Sequence, residues 1–220
     1  LPVAYADVPQ RVIQAFLAAE DDRFFEHPGI YWQGLARAVL VAAGFPGPRQ
    51  GGSTLTQQLV RTTLIENERT MRRKLREIFL SITLERQLTK QEILELYLNT
   101  VFLGQRAYGV GAAAETYFGK PLAEVGVAEA ALLAGIPQAP SRYNPVASRE
   151  QAERRRAYVL RRMHELNFIG DAEYQAALAE PVSGELHGPR VELEAPYVAE
   201  LARQALFEKL GERIYSDGIR

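Results

Sequence analysis

Apolar residues recur along this chain at the three-to-four spacing of an α-helix, and the alternation of a half-buried strand is scarce. Val12, Ile13, Phe16 and Leu17 trace one face behind a start signal of Asp7 and Pro9. Further helices are predicted over 31–43, 55–64, about 70–88, 111–118 closed by Gly119, and 129–136 stopped by Pro137. Thr89-Lys90-Gln91-Glu92 fits a capping box that opens a helix through Ile93, Leu94, Leu96, Tyr97 and Leu98. Ser148-Arg149-Glu150-Gln151 fits a second, ahead of Val159, Leu160, Met163 and Leu166, and Asp171 reads as the cap of a short helix. The pattern lapses between Pro181 and Pro196 and then resumes. The expectation is a mainly α domain over 1–180, with 181–220 a linker and the start of a following domain.

Composition excludes several classes. The chain has no cysteine, so disulfides, a thiol nucleophile and thiolate metal sites are ruled out within it. His27, His164 and His187 lack ligand spacing. A net charge of −1 gives no global pull on nucleic acid or anionic lipid. No stretch reaches the roughly 20 continuous apolar residues of a membrane span. The segment from Pro28 to Pro48 comes nearest but is broken by Arg37, Gly and Pro, so it is apolar enough only to lie on a membrane. The first residue is Leu1 rather than Met, as expected of a piece excised behind an anchor or signal.

Three stretches carry candidate chemistry. Glu20 follows Phe16 by four residues, and a continued helix places its carboxyl on the apolar face, where lost solvation raises its pKa. A plain helix end with Glu20 paired to Arg23 is the more economical reading of that spacing. Gly51-Gly52-Ser53-Thr54 ahead of a helix offers either an anion site at the helix N-terminus or an N-cap by Ser53 or Thr54. Arg61, Arg69, Arg72, Arg73, Lys74 and Arg76 form a basic run, with Glu77 sharing a helix edge with Arg73 and Lys74. Apolar residues from Leu75 to Leu84 spread round that helix, so it is expected to be mostly buried, with Glu77 a buried carboxylate beside cations.

Taken in order, five segments resemble the family 51 peptidoglycan glycosyltransferases, the polymerising domains of class A penicillin-binding proteins. They are Glu20-Asp21-Asp22-Arg23-Phe24-Phe25-Glu26-His27, the run from Gly51 to Gln58, Arg73-Lys74-Leu75-Arg76-Glu77, the run from Lys90 to Asn99, and the run from Ala131 to Pro140. The match spans about Pro9 to Leu166. The resemblance implies a lysozyme-like helical lobe with a smaller membrane-facing lobe, and a reaction that joins lipid II to a growing glycan strand with release of undecaprenyl pyrophosphate. It implies that Glu20 is the general base and Glu77 the second carboxylate, holding Mg²⁺ or Mn²⁺ on the pyrophosphate side. Arg73 and Lys74 offset leaving-group charge, and Ser53, Gln57, Arg61 and Asn99 bind substrate. Trp32, Leu35 and Phe45 are expected to touch the lipid, with Gly34, Gly44, Pro46 and Gly47 letting that segment move. The implied setting is the outer face of the cytoplasmic membrane, where other cell-wall synthesis proteins are a further class of partner. The tail from Ala195 resembles the lead into a transpeptidase domain.

Two rivals stand beside this. A glycan-cleaving enzyme of the same fold also places a Glu in such a scaffold, but has no need of a cationic cluster beside a second Glu. A non-catalytic helical module that binds membrane or peptidoglycan has no need of Glu20. A nucleic-acid role for the basic run has no accompanying motif.

Overall fold

The structure, a computed structural model, describes residues 2–34, 53–64, 71–188, 200 and 204–209. It is mainly α, as the periodicity predicts, and among the described residues the only β feature is an isolated bridge between Phe102 and Tyr108. The helices are α1 (Gln10–Glu20), α2 (Leu55–Thr63), α3 (Met71–Gln87), α4 (Lys90–Thr100), α5 (Val110–Phe118), α6 (Val127–Gly135), α7 (Pro140–Tyr143), α8 (Arg149–Glu165) and α9 (Asp171–Ala179).

The core forms where α1, α6 and α8 pack together. Val12, Ile13, Phe16 and Leu17 on α1 are all buried, the face read from their spacing. α6 is apolar nearly all round, the mark of a central helix. Its Ala128, Ala130, Ala131 and Ala134 are buried small residues that let α1 and α8 both approach closely. A buried Phe such as Phe16, fully enclosed here, contributes about 3–5 kcal/mol by comparison with truncation to Ala. α2 packs on α3 and α4.

Local signals set the helix ends. The capping box at Thr89 and Glu92 is complete. Gly119 closes α5 in the left-handed conformation, φ 64°. At Ser148 only half the predicted box forms, the Ser148 hydroxyl accepting from Gln151 N–H. Asp171 is the first residue of α9 rather than its cap, which is Gly170.

α3 departs from expectation. Only Glu77 and Ser81 are buried among its charged and polar residues, and Leu75 and Phe79 stand 65% and 69% exposed. The helix packs mainly on α2 by one face. Apolar residues all round a helix signal burial only when partners exist on every side, and among the described elements α3 contacts mainly α2.

The chain divides into two compact units, Leu1–Gly188 and Pro189–Arg220. Within the first, Val182 packs with Leu132 and Ala152, and His187 N–H donates to Thr116 O. In the second, residues 204–209 are helical. No described helix is long and apolar enough to cross a membrane.

Candidate active site

α1 ends at Glu20, and the turn that follows opens a cleft of about 670 Å³. Glu20, Ser53, Gln58, Arg61, Arg155 and Tyr158 are among its walls. The turn is pinned by Asp21, whose buried carboxylate accepts from His27 Nε2 at 2.9 Å and from Leu55 N–H at 3.0 Å. One side chain thereby fixes the start of α2 against the end of α1.

The Asp21 bond also bears on the described part of the glycine–serine stretch. Leu55 N–H goes to Asp21, Thr54 N–H to Gln57 Oε1, and Gln57 N–H to Thr54 Oγ1. These N-terminal donors of α2 are therefore spent within the chain, and Thr54 is the cap. Gly51 and Gly52 lie outside the described residues.

Glu20 does not pair with Arg23, whose guanidinium lies over the Tyr31 ring. Its Oε2 accepts from Gln58 Nε2 at 2.7 Å. Its Oε1 lies 3.8 Å from Arg155 Nη2, too long for a hydrogen bond, and no donor among the described residues reaches it. Burial pushes the Glu20 carboxyl above its ordinary value, against the pull of the Gln58 bond and of the Arg155 and Arg61 charges. Arg155 is seated by Tyr158, with 4.5 Å between guanidinium and ring centroid, and by Gly135, whose carbonyl accepts from its Nε at 3.4 Å.

Glu77 is 1% exposed and sits behind the cleft rather than in its wall. Its Oε2 accepts from Arg73 at 3.1 Å and its Oε1 from Lys74. Lys74 also donates to Ser53 Oγ at 3.3 Å, so it links Glu77 to a residue of the cleft wall. The two carboxylates are thus joined to one cleft, Glu20 directly and Glu77 through Lys74 and Ser53.

Glu77 as it stands offers no free oxygen to a Mg²⁺ or Mn²⁺. Both Glu77 oxygens are taken by cations, whose charge opposes a divalent ion. No group of three or more His, Asp or Glu able to hold a metal occurs among the described residues, so a divalent ion here would need oxygens from a bound pyrophosphate.

Two predicted substrate residues are elsewhere. Gln57 is 1% exposed and completes the capping box of Thr54. Asn99 clamps the N-terminal segment, its Nδ2 donating to Val3 O and Glu95 O and its Oδ1 accepting from Val3 N–H. Ser53 and Arg61 do line the cleft, and Trp32 is 57% exposed. Leu35 and Phe45 lie outside the described residues, as do Gly44, Pro46 and Gly47.

Gln58, Arg155 and Tyr158 were not singled out by the sequence reading. A signal existed for the first. Thr54, Gln58 and Arg61 are spaced four and three apart and share a helix edge. The capping-box rule, started at Thr54, assigns Gln57 to the cap and frees Gln58. Arg155, Tyr158 and Arg162 likewise share an edge of α8, beside the face that buries Val159 and Met163.

Residues 1–164 match the family model described as Transglycosylase. Penicillin-binding protein 1A of Haemophilus influenzae is 50% identical over 221 residues, covering all of this chain and 26% of the relative. The proteins of that name from Pseudomonas aeruginosa and Escherichia coli K12 are 45% and 44% identical, again across the whole chain and 27% and 26% of their own lengths. The chain therefore spans about a quarter of these relatives. A crystal structure of penicillin-binding protein 1A from Haemophilus influenzae matches with a TM-score of 0.54 at 36% identity, over 96% of this chain and 22% of that one.

Proposed function

The chain belongs to the transglycosylase family of peptidoglycan glycosyltransferases, and from that premise we propose that its cleft joins lipid II to a lipid-linked glycan strand. In this reaction the acceptor's sugar 4-hydroxyl oxygen attacks the anomeric carbon of the donor. The bond from that carbon to the pyrophosphate oxygen breaks, undecaprenyl pyrophosphate leaves with the electron pair, and the hydroxyl proton passes to Glu20. One displacement inverts an α-linked donor to a β-1,4-linked product without a glycosyl-enzyme.

The observation that carries this reading is the asymmetry of the Glu20 carboxylate. One oxygen is anchored by Gln58 while the other meets no donor among the described residues, in a buried setting that raises its affinity for a proton. Arg61 in the cleft wall and Lys74 behind Ser53 supply fixed positive charge for the departing pyrophosphate, where preorganised cations count most. Glu77 holds Arg73 and Lys74 in place, a positioning role that needs no metal ion.

A lipid-anchored substrate must be met at a bilayer surface, on the outer side of the cytoplasmic membrane where the strand is assembled. Leu75 and Phe79, one turn apart on α3, and Trp32 are exposed apolar groups suited to that contact. Other cell-wall synthesis proteins are the further partners of such a setting.

Incubation with lipid II and, separately, with finished glycan tests the reading. Polymer from lipid II and no fragments from glycan is the expected result. Fragments from glycan identify a lytic enzyme instead, and no change in either substrate returns the chain to a binding module.

A further inference from the structure

Tyr97, on α4, is 2% exposed and packs edge-on against Phe16 of α1, with ring centroids 6.1 Å apart. Its hydroxyl donates to Gln58 Oε1 at 3.3 Å, on the opposite side of the amide from the Gln58–Glu20 bond. A chain of two hydrogen bonds thus runs from α4 through α2 to the last residue of α1. The chemistry of its ends fixes its direction. An ionised carboxylate can only accept, so Gln58 must turn its NH₂ to Glu20, and its carbonyl then needs a donor behind it.

We propose that Tyr97 is a positioning residue for catalysis, its hydroxyl holding the Gln58 amide so that an N–H and not the carbonyl faces Glu20. The inference rests on Glu20 being the base, as set out above. An unrestrained Gln58 can present its carbonyl oxygen to the carboxylate by a half-turn of the amide. That replaces an attraction to the ionised base with a repulsion and lets the carboxylate drift from its working place. Tyr97 opposes this by giving the Gln58 carbonyl a donor on the side away from Glu20, and it keeps its proton to do so. Burial, then the neighbouring Glu20 charge, hold the phenol well above its ordinary pKa, so the hydroxyl remains a donor at any working pH. The other charges that face Glu20 are Arg61 of α2, Arg155 of α8 and adjacent Asp21, none of which touches the Gln58 carbonyl in the described structure.

The test is Tyr97→Phe in the whole chain, which keeps the ring and its contact with Phe16. The pH–rate profile of strand synthesis is measured with kcat and KM separated, for this variant, for Gln58→Leu and for the pair combined. KM is expected to stay within about twofold, kcat to fall roughly tenfold, and the acid limb to move up by about one pH unit, the scale of a hydrogen bond to a charged group. Adding Tyr97→Phe to Gln58→Leu is expected to produce no further movement, because Tyr97 acts through Gln58. An unmoved limb with normal kcat makes Tyr97 a core residue alone and overturns the proposal, and so does a shift that adds in the double variant. If Tyr97→Phe does not fold, Gln58→Leu decides: a raised limb supports the relay, and an unmoved one leaves Tyr97 nothing to orient. Glu20→Gln run alongside separates the two ideas. Turnover surviving there defeats the base assignment, whereas a dead Glu20→Gln beside an unmoved Tyr97→Phe limb defeats only the relay.

Discussion

Arg155 Nη2 stands 3.8 Å from Glu20 Oε1, close enough to steady a negative charge and too far to occupy the oxygen with a hydrogen bond. The cation is held there by its own surroundings, chiefly Tyr158 and the clearance over Gly135. A methyl group at Gly135 lands 2.9 Å from Arg155 Cγ, on the stem of the side chain rather than its tip.

Gly135→Ala is therefore expected to lower activity by displacing Arg155. Gly135 has an ordinary negative φ of −77°, so the backbone accepts Ala without strain. Helix propensity alone favours Ala by about 1 kcal/mol. The stability change is expected to be a loss of no more than about 2 kcal/mol, the cost of overpacking less that gain. Thermal melting and turnover of the same preparation check it; activity falling more than stability is the expected pattern.

Glu20→Gln is expected to stabilise the fold at neutral pH. Burial raises the Glu20 pKa in the folded chain, so the folded state holds this proton more tightly than the unfolded one. The stability contributed by the protonated group is fully present below the ordinary pKa of 4.5 and is lost as pH rises through the raised folded value. A neutral amide removes that loss. The variant's melting temperature is expected to exceed wild type near pH 7 by a few degrees, at about 2–4 °C per kcal/mol for a chain of this size, and to converge with it as pH falls towards 4. Melting curves across pH 4–8 measure the crossover.

Lys74→Met is expected to cost about 2–3 kcal/mol, because it removes one of the two cations paired with a carboxylate that is 1% exposed. Combining it with Glu77→Gln removes the buried charge and is expected to recover much of the stability while leaving polymerisation impaired. Denaturant titration and a strand-synthesis assay on the four variants of the cycle separate the structural loss from the functional one.

Asn99→Ala is expected to loosen the N-terminal segment and cost about 1–2 kcal/mol in lost hydrogen bonds, while kcat and KM of the folded protein stay unchanged. A raised KM without loss of stability returns Asn99 to the substrate site.

What could be read from the residues, and what could not, follows from the range of each interaction. The face of α1 and the caps at Thr89 and Gly119 are short-range consequences of spacing, and each is legible. Glu77 is buried as expected, but by packing on α2 and not by the all-round burial of α3 that its apolar pattern implies. The exposure of Leu75 and Phe79 is not, because periodicity shows which residues share a face and not whether anything covers it. Gln57 and Gln58 are adjacent and chemically identical, yet a turn of about 100° per residue sends one into the cap and the other to Glu20. Arg155 reaches Glu20 only after α8 has packed on α1, so no local pattern announces the pair. The resemblance to a known family supplied the role of Glu20, which its spacing alone left as a helix end.

The most direct measurement is lipid II polymerisation by Glu20→Gln, made on protein whose melting temperature is recorded in the same buffer. Loss of a general base is expected to lower the rate by about 10²–10⁴-fold with no loss of fold. A folded Glu20→Gln variant that polymerises at close to the wild-type rate contradicts the assignment of this carboxylate as the proton acceptor.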